Sequence, residues 1–267
     1  MKEDGAELLR VAGVSKAFGG LQALAGVSLT VPEGAVVGLI GPNGSGKSTL
    51  FDDISGFQRC DCGEISYRSA RIEHSSPDEI ARFGLVRTFQ MSEGGLRLTA
   101  IENLMAAVPG QQEHKLLASL TRLRAALRAE RRHLSRAREV IALLGLGAVA
   151  DEYLGNLSGG QRKLIDLGRI FMARPRLSLL DEPTAGVNPG LIRVIVDALS
   201  TMNREEGISL LIVEHNMGVV QECCDHVYVL DSGRVICEGT PAEVSVDARV
   251  LESYLGSARV TSDEEAG

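Results

Sequence analysis

Hydrophobic and polar positions alternate in two short segments near the start of the chain, Val11 to Phe18 and Gly26 to Val31. The pattern predicts extended backbone there, with Gly19-Gly20 and Pro32-Glu33-Gly34 as turns. The run Ala35-Val36-Val37-Gly38-Leu39-Ile40 is apolar without a break. It is too short for a helix and is followed at once by glycines, which predicts a strand buried on both faces. Lys47 to Ser55 reads as a helix with Gly56 as its stop. A short helix is expected over Ile101 to Val108, closed by Pro109-Gly110, and a long Arg- and Leu-rich helical region over Leu116 to Leu144. The second half alternates again. Helix is expected over Gly160 to Ala173, Leu191 to Glu205 and Asn216 to Cys224, and strand over Leu177 to Leu180, Ser209 to Glu214 and Tyr228 to Leu230. A turn at Asp231-Ser232-Gly233 leads to a strand at Val235-Ile236. Apolar strands alternating with helices predict a three-layer α/β core around a mostly parallel sheet, interrupted between residues 100 and 156 by a helical insertion. No internal repeat is evident, and the acidic stretch from Thr261 is expected to be disordered.

Composition narrows the class. With 267 residues, 44% apolar and 24% charged, the chain can bury a substantial core, and wholesale disorder is excluded. No stretch approaches the ~18–20 apolar residues of a bilayer-spanning helix. Met1-Lys2-Glu3-Asp4 lacks the character of a signal peptide, so export is not expected. The net charge of −7 weighs against nucleic acid as a partner. The charge is uneven, because Lys115 to Arg138 carries eight Lys and Arg against one Glu. The functional reading of that block is contact with a membrane subunit or anionic headgroups, and the plainer reading is a solvated helical face. Five cysteines, an odd number without zinc-type spacing, fit reduced thiols rather than disulfides or a metal site.

The chemistry concentrates in three motifs. Gly41-Pro42-Asn43-Gly44-Ser45-Gly46-Lys47-Ser48 matches G-x-x-x-x-G-K-[ST] between a predicted buried strand and a predicted helix. Glycines let successive N–H groups converge on one anion, and the helix N-terminus adds its positive dipole end. Lys47 is the candidate for the β- and γ-phosphates and Ser48 for Mg²⁺, with Thr49 beside them in the triphosphate site. Leu177-Ser178-Leu179-Leu180-Asp181-Glu182 supplies an acidic strand end. Asp181 is the candidate to hold Mg²⁺, mainly through its water shell, and Glu182 to polarise the water attacking the γ-phosphate. Ser178 interrupts the apolar run, and its hydroxyl is expected to find a partner if buried. The third motif, Leu157-Ser158-Gly159-Gly160-Gln161, makes a second helix N-terminus, which is either anion-binding or an ordinary Ser-capped turn.

In this order and spacing the three motifs resemble the ATP-binding-cassette ATPases, over roughly residues 8 to 256. The resemblance implies a P-loop NTPase core with an antiparallel β subdomain and an inserted helical subdomain of about residues 91–172, all in one nucleotide-binding domain of residues 1–257. It implies ATP and Mg²⁺ as cofactors. Ser158, Gly159, Gly160 and Gln161 would cap the γ-phosphate on a second subunit, so that two chains sandwich two ATP molecules. Gln90, in Arg87-Thr88-Phe89-Gln90, resembles the glutamine that senses the metal and attacking water, and His215 the switch histidine contacting the γ-phosphate. Phe18 falls where an aromatic ring stacks on adenine. Ala185-Gly186-Val187-Asn188-Pro189 resembles the loop that crosses the dimer interface, with Asn188 where many members carry Asp. Asp52-Asp53 departs from the pattern and is expected on the outer side of the phosphate-loop helix.

As a subfamily, the chain resembles the ATPase subunits of branched-chain amino acid importers, on Leu85–Gln90, Val213–Met217 and the ending Glu238 to Gly256. That likeness implies integral-membrane permease subunits as partners, docked at about Met91 to Leu104. It also implies a second ATPase copy or homologue, indirectly a substrate-binding protein, and a peripheral place on the cytoplasmic face of the inner membrane. Urea importers and lipopolysaccharide-export ATPases share much of the pattern. A soluble ATPase switch is the alternative of a different class, but this chain has neither long heptad arms nor a second phosphate loop.

Overall fold

The computed structural model describes residues 6–88, 95–109 and 123–254. The chain divides into two compact units, one of Met1–Arg87, Pro175–Ala185 and Asn203–Gly267, the other of Thr88–Arg174 and Gly186–Met202.

The first unit contains two sheets. Strands β1 (Glu7–Phe18) and β2 (Leu21–Pro32) form an antiparallel hairpin, with Val11 opposite Leu29 and Val14 opposite Val27. Both strands are longer than the alternation predicts, because inward positions continue through Leu9 and Leu24, each fully buried. Strand β3 (Val36–Ile40) follows, then helix α1 (Lys47–Ile54). Strands β4 (Cys62–Tyr67) and β5 (Ala70–Arg71), absent from the sequence expectation, complete a sheet of order β2-β1-β4-β5. Helix α2 (Pro77–Arg82) and strand β6 (Leu85–Arg87) come next.

The larger sheet has the order β10-β9-β3-β8-β7-β6, with β7 at Leu177–Asp181, β8 at Ser209–Val213, β9 at His226–Asp231 and β10 at Arg234–Gly239. Its pairings are parallel except at the antiparallel β9/β10 edge. All five residues of β3 and of β8 are buried, as the unbroken apolar runs demand of strands covered on both faces. Leu39, Leu50, Phe51, Ile65, Leu179 and Leu211 belong to one buried cluster. Leu50, Phe51 and Ile54 fix α1 to it with no exposed surface, at about 1.5–3 kcal/mol per side chain. The helix that follows the phosphate loop is therefore firmly seated.

The second unit is helical among its described residues: α3 (Ala100–Ala106), α4 (Leu123–Leu143), α5 (Gly159–Ala173) and α6 (Pro189–Arg204), the last belonging to this unit through Met202. Gly168 lies where α3, α4 and α5 meet. A Cβ there would stand 2.7 Å from Leu104 and 3.1 Å from Leu144. The expected basic helix is seen from residue 123 onward, and the start of the Lys115–Arg138 block lies outside the described residues, as does the tail from Thr261. The first unit closes with α7 (Met217–Cys223) and α8 (Pro241–Ser245).

Candidate functional site

The phosphate loop joins β3 to α1, and its glycines are required by geometry. Gly41 has φ +148°, and a Cβ there would lie 1.9 Å from the Leu230 carbonyl oxygen. Gly46, the N-cap of α1, has φ +107° and would clash with the Ala23 carbonyl oxygen at 2.6 Å. The loop is braced from outside, since the Gly233 N–H donates to the Ser45 carbonyl at 2.9 Å and the Ala25 N–H to the Gly233 carbonyl at 2.8 Å. No side chain caps α1, and its first turn holds no acid, which leaves that end suited to an anion.

Lys47 is almost fully buried. Its ammonium donates to the carbonyls of Gly41 at 2.9 Å and Pro42 at 2.8 Å and to Ser45 Oγ at 3.3 Å. Burial pushes its pKa below the usual lysine value, against the opposing pull of the Glu182 and Asp181 carboxylates.

A cleft of about 470 Å³ brings Phe18, Asn43, Gly44, Ser45, Gly46, Lys47, Ser48, Thr49 and Glu182 together. Gln22, Ala23 and Ser232 also line it. No local pattern marks these three, and the turn at Asp231–Gly233 reads only as a hairpin until β9 is seen beside β3. Phe18 is half exposed, with the Lys16 ammonium 5.6 Å from its ring centroid. Lys16 is held by Asp61 Oδ1 at 3.0 Å and the Arg59 carbonyl at 2.7 Å.

Strand β7 delivers the acidic pair. Ser178 is fully buried and its Oγ has no hydrogen-bond partner among the described residues, contrary to the sequence expectation. An unsatisfied buried hydroxyl costs about 1–3 kcal/mol, which the burial of Leu177, Leu179 and Leu180 on the same strand offsets. Asp181 Oδ2 accepts from Arg87 Nη2 at 3.2 Å. The next residue, Glu182, adopts the left-handed backbone region at φ +46°, worth roughly 1–3 kcal/mol of strain in a non-glycine residue. Its N–H is tied to the Val213 carbonyl at 2.9 Å. In that conformation Glu182 Oε1 stands 2.9 Å from His215 Nε2.

The His215 loop is organised by Glu214, a buried residue that sequence reasoning passed over as part of a motif. Its carboxylate accepts from the Thr184 N–H and hydroxyl, at 2.9 and 2.6 Å, and from the N–H groups of His215 and Asn216. No local pattern marks Glu214, because Thr184 is 30 residues away.

The acids on α1 differ from expectation as well. Asp53 faces inward with 1% exposure, Oδ1 accepting from Gln58 Nε2 at 3.0 Å, and burial pushes its pKa up to about 6. Asp52 is partly exposed and pairs with Arg87.

Ser158 is the N-cap of α5 in a complete capping box. Gln161 N–H donates to Ser158 Oγ at 3.3 Å, and Ser158 N–H donates to Gln161 Oε1 at 2.9 Å. A Cβ on Gly159 would meet nothing within 4 Å, whereas one on Gly160 would stand 2.7 Å from Leu191. Asn188 Oδ1 accepts from the Leu191 N–H at 3.0 Å at the start of α6. Gln90 lies outside the described residues.

Among the described residues no cluster of three or more His, Cys, Asp or Glu could hold a metal ion. Ser48 and Asp181 nonetheless offer the hard oxygen donors that suit Mg²⁺, a cation that takes only one or two protein ligands when phosphate oxygens and water supply the rest. No described helix is long and apolar enough to cross a membrane.

Residues 24–185 match the family model described as ABC transporter. Residues 234–260 match one described as branched-chain amino acid ATP-binding cassette transporter. The chain is 37% identical over 251 residues to a probable branched-chain amino acid transport ATP-binding protein, LivG, of Archaeoglobus fulgidus, covering 94% of this chain and 96% of that one. Among solved structures it resembles the ADP conformation of MJ1267, an ATP-binding cassette of an ABC transporter. The TM-score is 0.78 and the identity 36%, over 94% of this chain and 99% of that one. It also resembles the dimeric, post-hydrolysis cassette MJ0796 bound to ADP and phosphate, with TM-score 0.71 and 25% identity over 87% and 98% of the two chains. A loop that only glycine can form, an acidic pair at the adjoining strand end and these matches along nearly the full length agree: the chain belongs to the ABC transporter family, as one of its ATP-binding, ATP-hydrolysing subunits.

Proposed function

We propose that this subunit drives the import of branched-chain amino acids or a related small polar solute. In this reading it docks on integral-membrane permease subunits at the cytoplasmic face and works as one half of a nucleotide sandwich. The likeness to LivG and the match of residues 234–260 support the substrate class. The dimeric relative supports the sandwich.

The observation that carries the catalytic reading is the 2.9 Å contact of His215 Nε2 with Glu182 Oε1, made by a glutamate in a left-handed conformation at the rim of the phosphate-loop cleft. Backbone N–H groups from Asn43 to Ser48 receive the phosphates. Lys47 exchanges its loop acceptors for phosphate oxygens, so that its charge moves to the triphosphate without a change in net hydrogen bonding. Phe18 stacks on the base. Glu182 accepts the proton of the attacking water, and His215 Nε2, 2.9 Å from the glutamate, exchanges that contact for the γ-phosphate when ATP binds. Mg²⁺, held by Ser48 and Asp181 and sensed by Gln90, would neutralise phosphate charge. Ser158, Gly159, Gly160 and Gln161 of a second subunit complete the ring of donors around the transferring group, which one loop alone supplies from a single side. A lone chain therefore binds ATP but hydrolyses it slowly.

The test is Glu182→Gln, purified from native membranes with ATP and Mg²⁺ present. Turnover should fall about 100-fold or more while ATP affinity stays within about twofold, and a multi-span permease should copurify and restore leucine uptake when reconstituted with the wild-type chain. Unchanged steady-state hydrolysis would remove Glu182 from the base role. Recovery of soluble partners alone would overturn the transporter assignment for this chain.

A further inference from the structure

Arg87 links three elements that the sequence keeps far apart. Its Nη1 donates to Asp52 Oδ1 on α1 at 2.5 Å and to Ser55 Oγ at 3.3 Å, and its Nη2 donates to Asp181 Oδ2 at the end of β7 at 3.2 Å. The guanidinium lies 5.6 Å from the Phe51 ring centroid, and the side chain is only 12% exposed. Arg87 ends β6. We infer that Asp52 and Arg87 form a positioning pair for Asp181, with Asp52 dividing the guanidinium so that a single N–H branch reaches the metal-binding carboxylate. This rests on the reading of Asp181 as a Mg²⁺ ligand.

Charge and fork geometry decide how much of Asp181 the guanidinium occupies. An arginine facing one carboxylate tends to bind it through two parallel hydrogen bonds, occupying both oxygens and cancelling most of the charge. Such a pairing on Asp181 would compete with a divalent cation for the same oxygens. Asp52 and Ser55 engage Nη1, so Arg87 meets Asp181 through Nη2 alone. The trio Asp52, Arg87 and Asp181 keeps a net charge of −1, which favours a cation, and a planar guanidinium is what spans two carboxylates on different elements. Lysine, with a compact charge and no fixed fork, does not hold two carboxylates at a set separation in one plane. Partners one step removed from a metal typically alter its affinity by about 10–100-fold. Asp52 is therefore not an idle departure on the phosphate-loop helix.

The experiment measures binding of a fluorescent ATP analogue to the full chain, in EDTA and across a Mg²⁺ titration, beside steady-state hydrolysis. Asp181→Asn should weaken the Mg²⁺ dependence strongly and marks the full effect. Asp52→Asn should raise the Mg²⁺ concentration for half-effect by about tenfold while affinity in EDTA stays within twofold. Arg87→Lys should shift it comparably. In an Arg87→Met background the Asp52→Asn change should have no further effect, because Asp52 acts through Arg87. Far-ultraviolet circular dichroism and urea midpoints check that each variant folds. If Asp181→Asn shifts the Mg²⁺ titration while Asp52→Asn and Arg87→Lys do not, the positioning pair is refuted and the metal reading survives. An Asp52→Asn effect that persists without Arg87 also refutes it. If Asp181→Asn leaves the titration unchanged, the metal reading fails and the inference falls with it.

Discussion

Two helix N-termini in this chain carry glycine-rich approaches, and they are finished in opposite ways. At α1 the cap residue is Gly46, with φ +107°, no capping side chain and no acid in the first turn. At α5 the cap is Ser158, and Ser158 and Gln161 satisfy each other's backbone N–H groups. The first end is held open by its surroundings, with the Ala23 and Leu230 carbonyls so close that only glycine fits at 46 and 41. The second is closed by its own side chains and would be stable in any helix of that sequence. The difference separates a helix start whose N–H groups are left open to an anion from one whose N–H groups its own side chains already satisfy.

The largest way to break this comparison is to put the same substitution at both ends. Gly46→Ala forces a side chain into a positive-φ position 2.6 Å from a carbonyl oxygen and should reduce ATP affinity about 100-fold or more. Gly159→Ala meets open space at helix start and should leave the ATP affinity of the single chain within about twofold. Equal effects in a nucleotide titration would contradict the contrast.

A second, smaller effect separates the helix bodies. Asp53 on α1 has a carboxyl pushed up to about 6 by burial. Between its ordinary value and 6 the folded state binds the proton more tightly than the unfolded state, so its contribution to stability falls as pH rises through that window. The full penalty, of order 2–3 kcal/mol, is present at neutral pH. Asp53→Asn should therefore raise the melting temperature at pH 7.5, and the gain should shrink as pH falls from 7 to 5. A pH-independent gain would assign the effect to something other than this carboxyl. The smallest effect is at the closed end, where Ser158→Ala should cost about 1 kcal/mol in a urea titration, the ordinary worth of an N-cap. A loss of single-chain ATP affinity instead would mean that Ser158 meets phosphate in cis.

Local signals made the α1 end readable, since Gly41–Ser48 lies between an unbroken apolar run and a helix start. The acidic pair at Asp181-Glu182 was legible for the same reason. Helix α2 was legible too but passed over, for Ser76-Pro77-Asp78-Glu79 is a capping box with proline at the first helical position. Strand β4 was harder, because Cys62-Gly63-Glu64 at its start is exposed and only Ile65 and Tyr67 point into the core. The contacts of Arg87 and Glu214 cross 30 to 94 residues of sequence and leave no local periodicity. Such contacts exist only once the parallel sheet has placed β6, β7 and β8 side by side.

The backbone rung from Ser45 to Gly233, and the fit of Gly41 against Leu230, also set an order of events during synthesis. The phosphate loop is translated well before strand β9 and Gly233, which supply one of its walls. A nascent chain with β9 still inside the ribosomal tunnel lacks that wall. A chain that has not yet exposed β9 should therefore bind nucleotide more weakly than one that has.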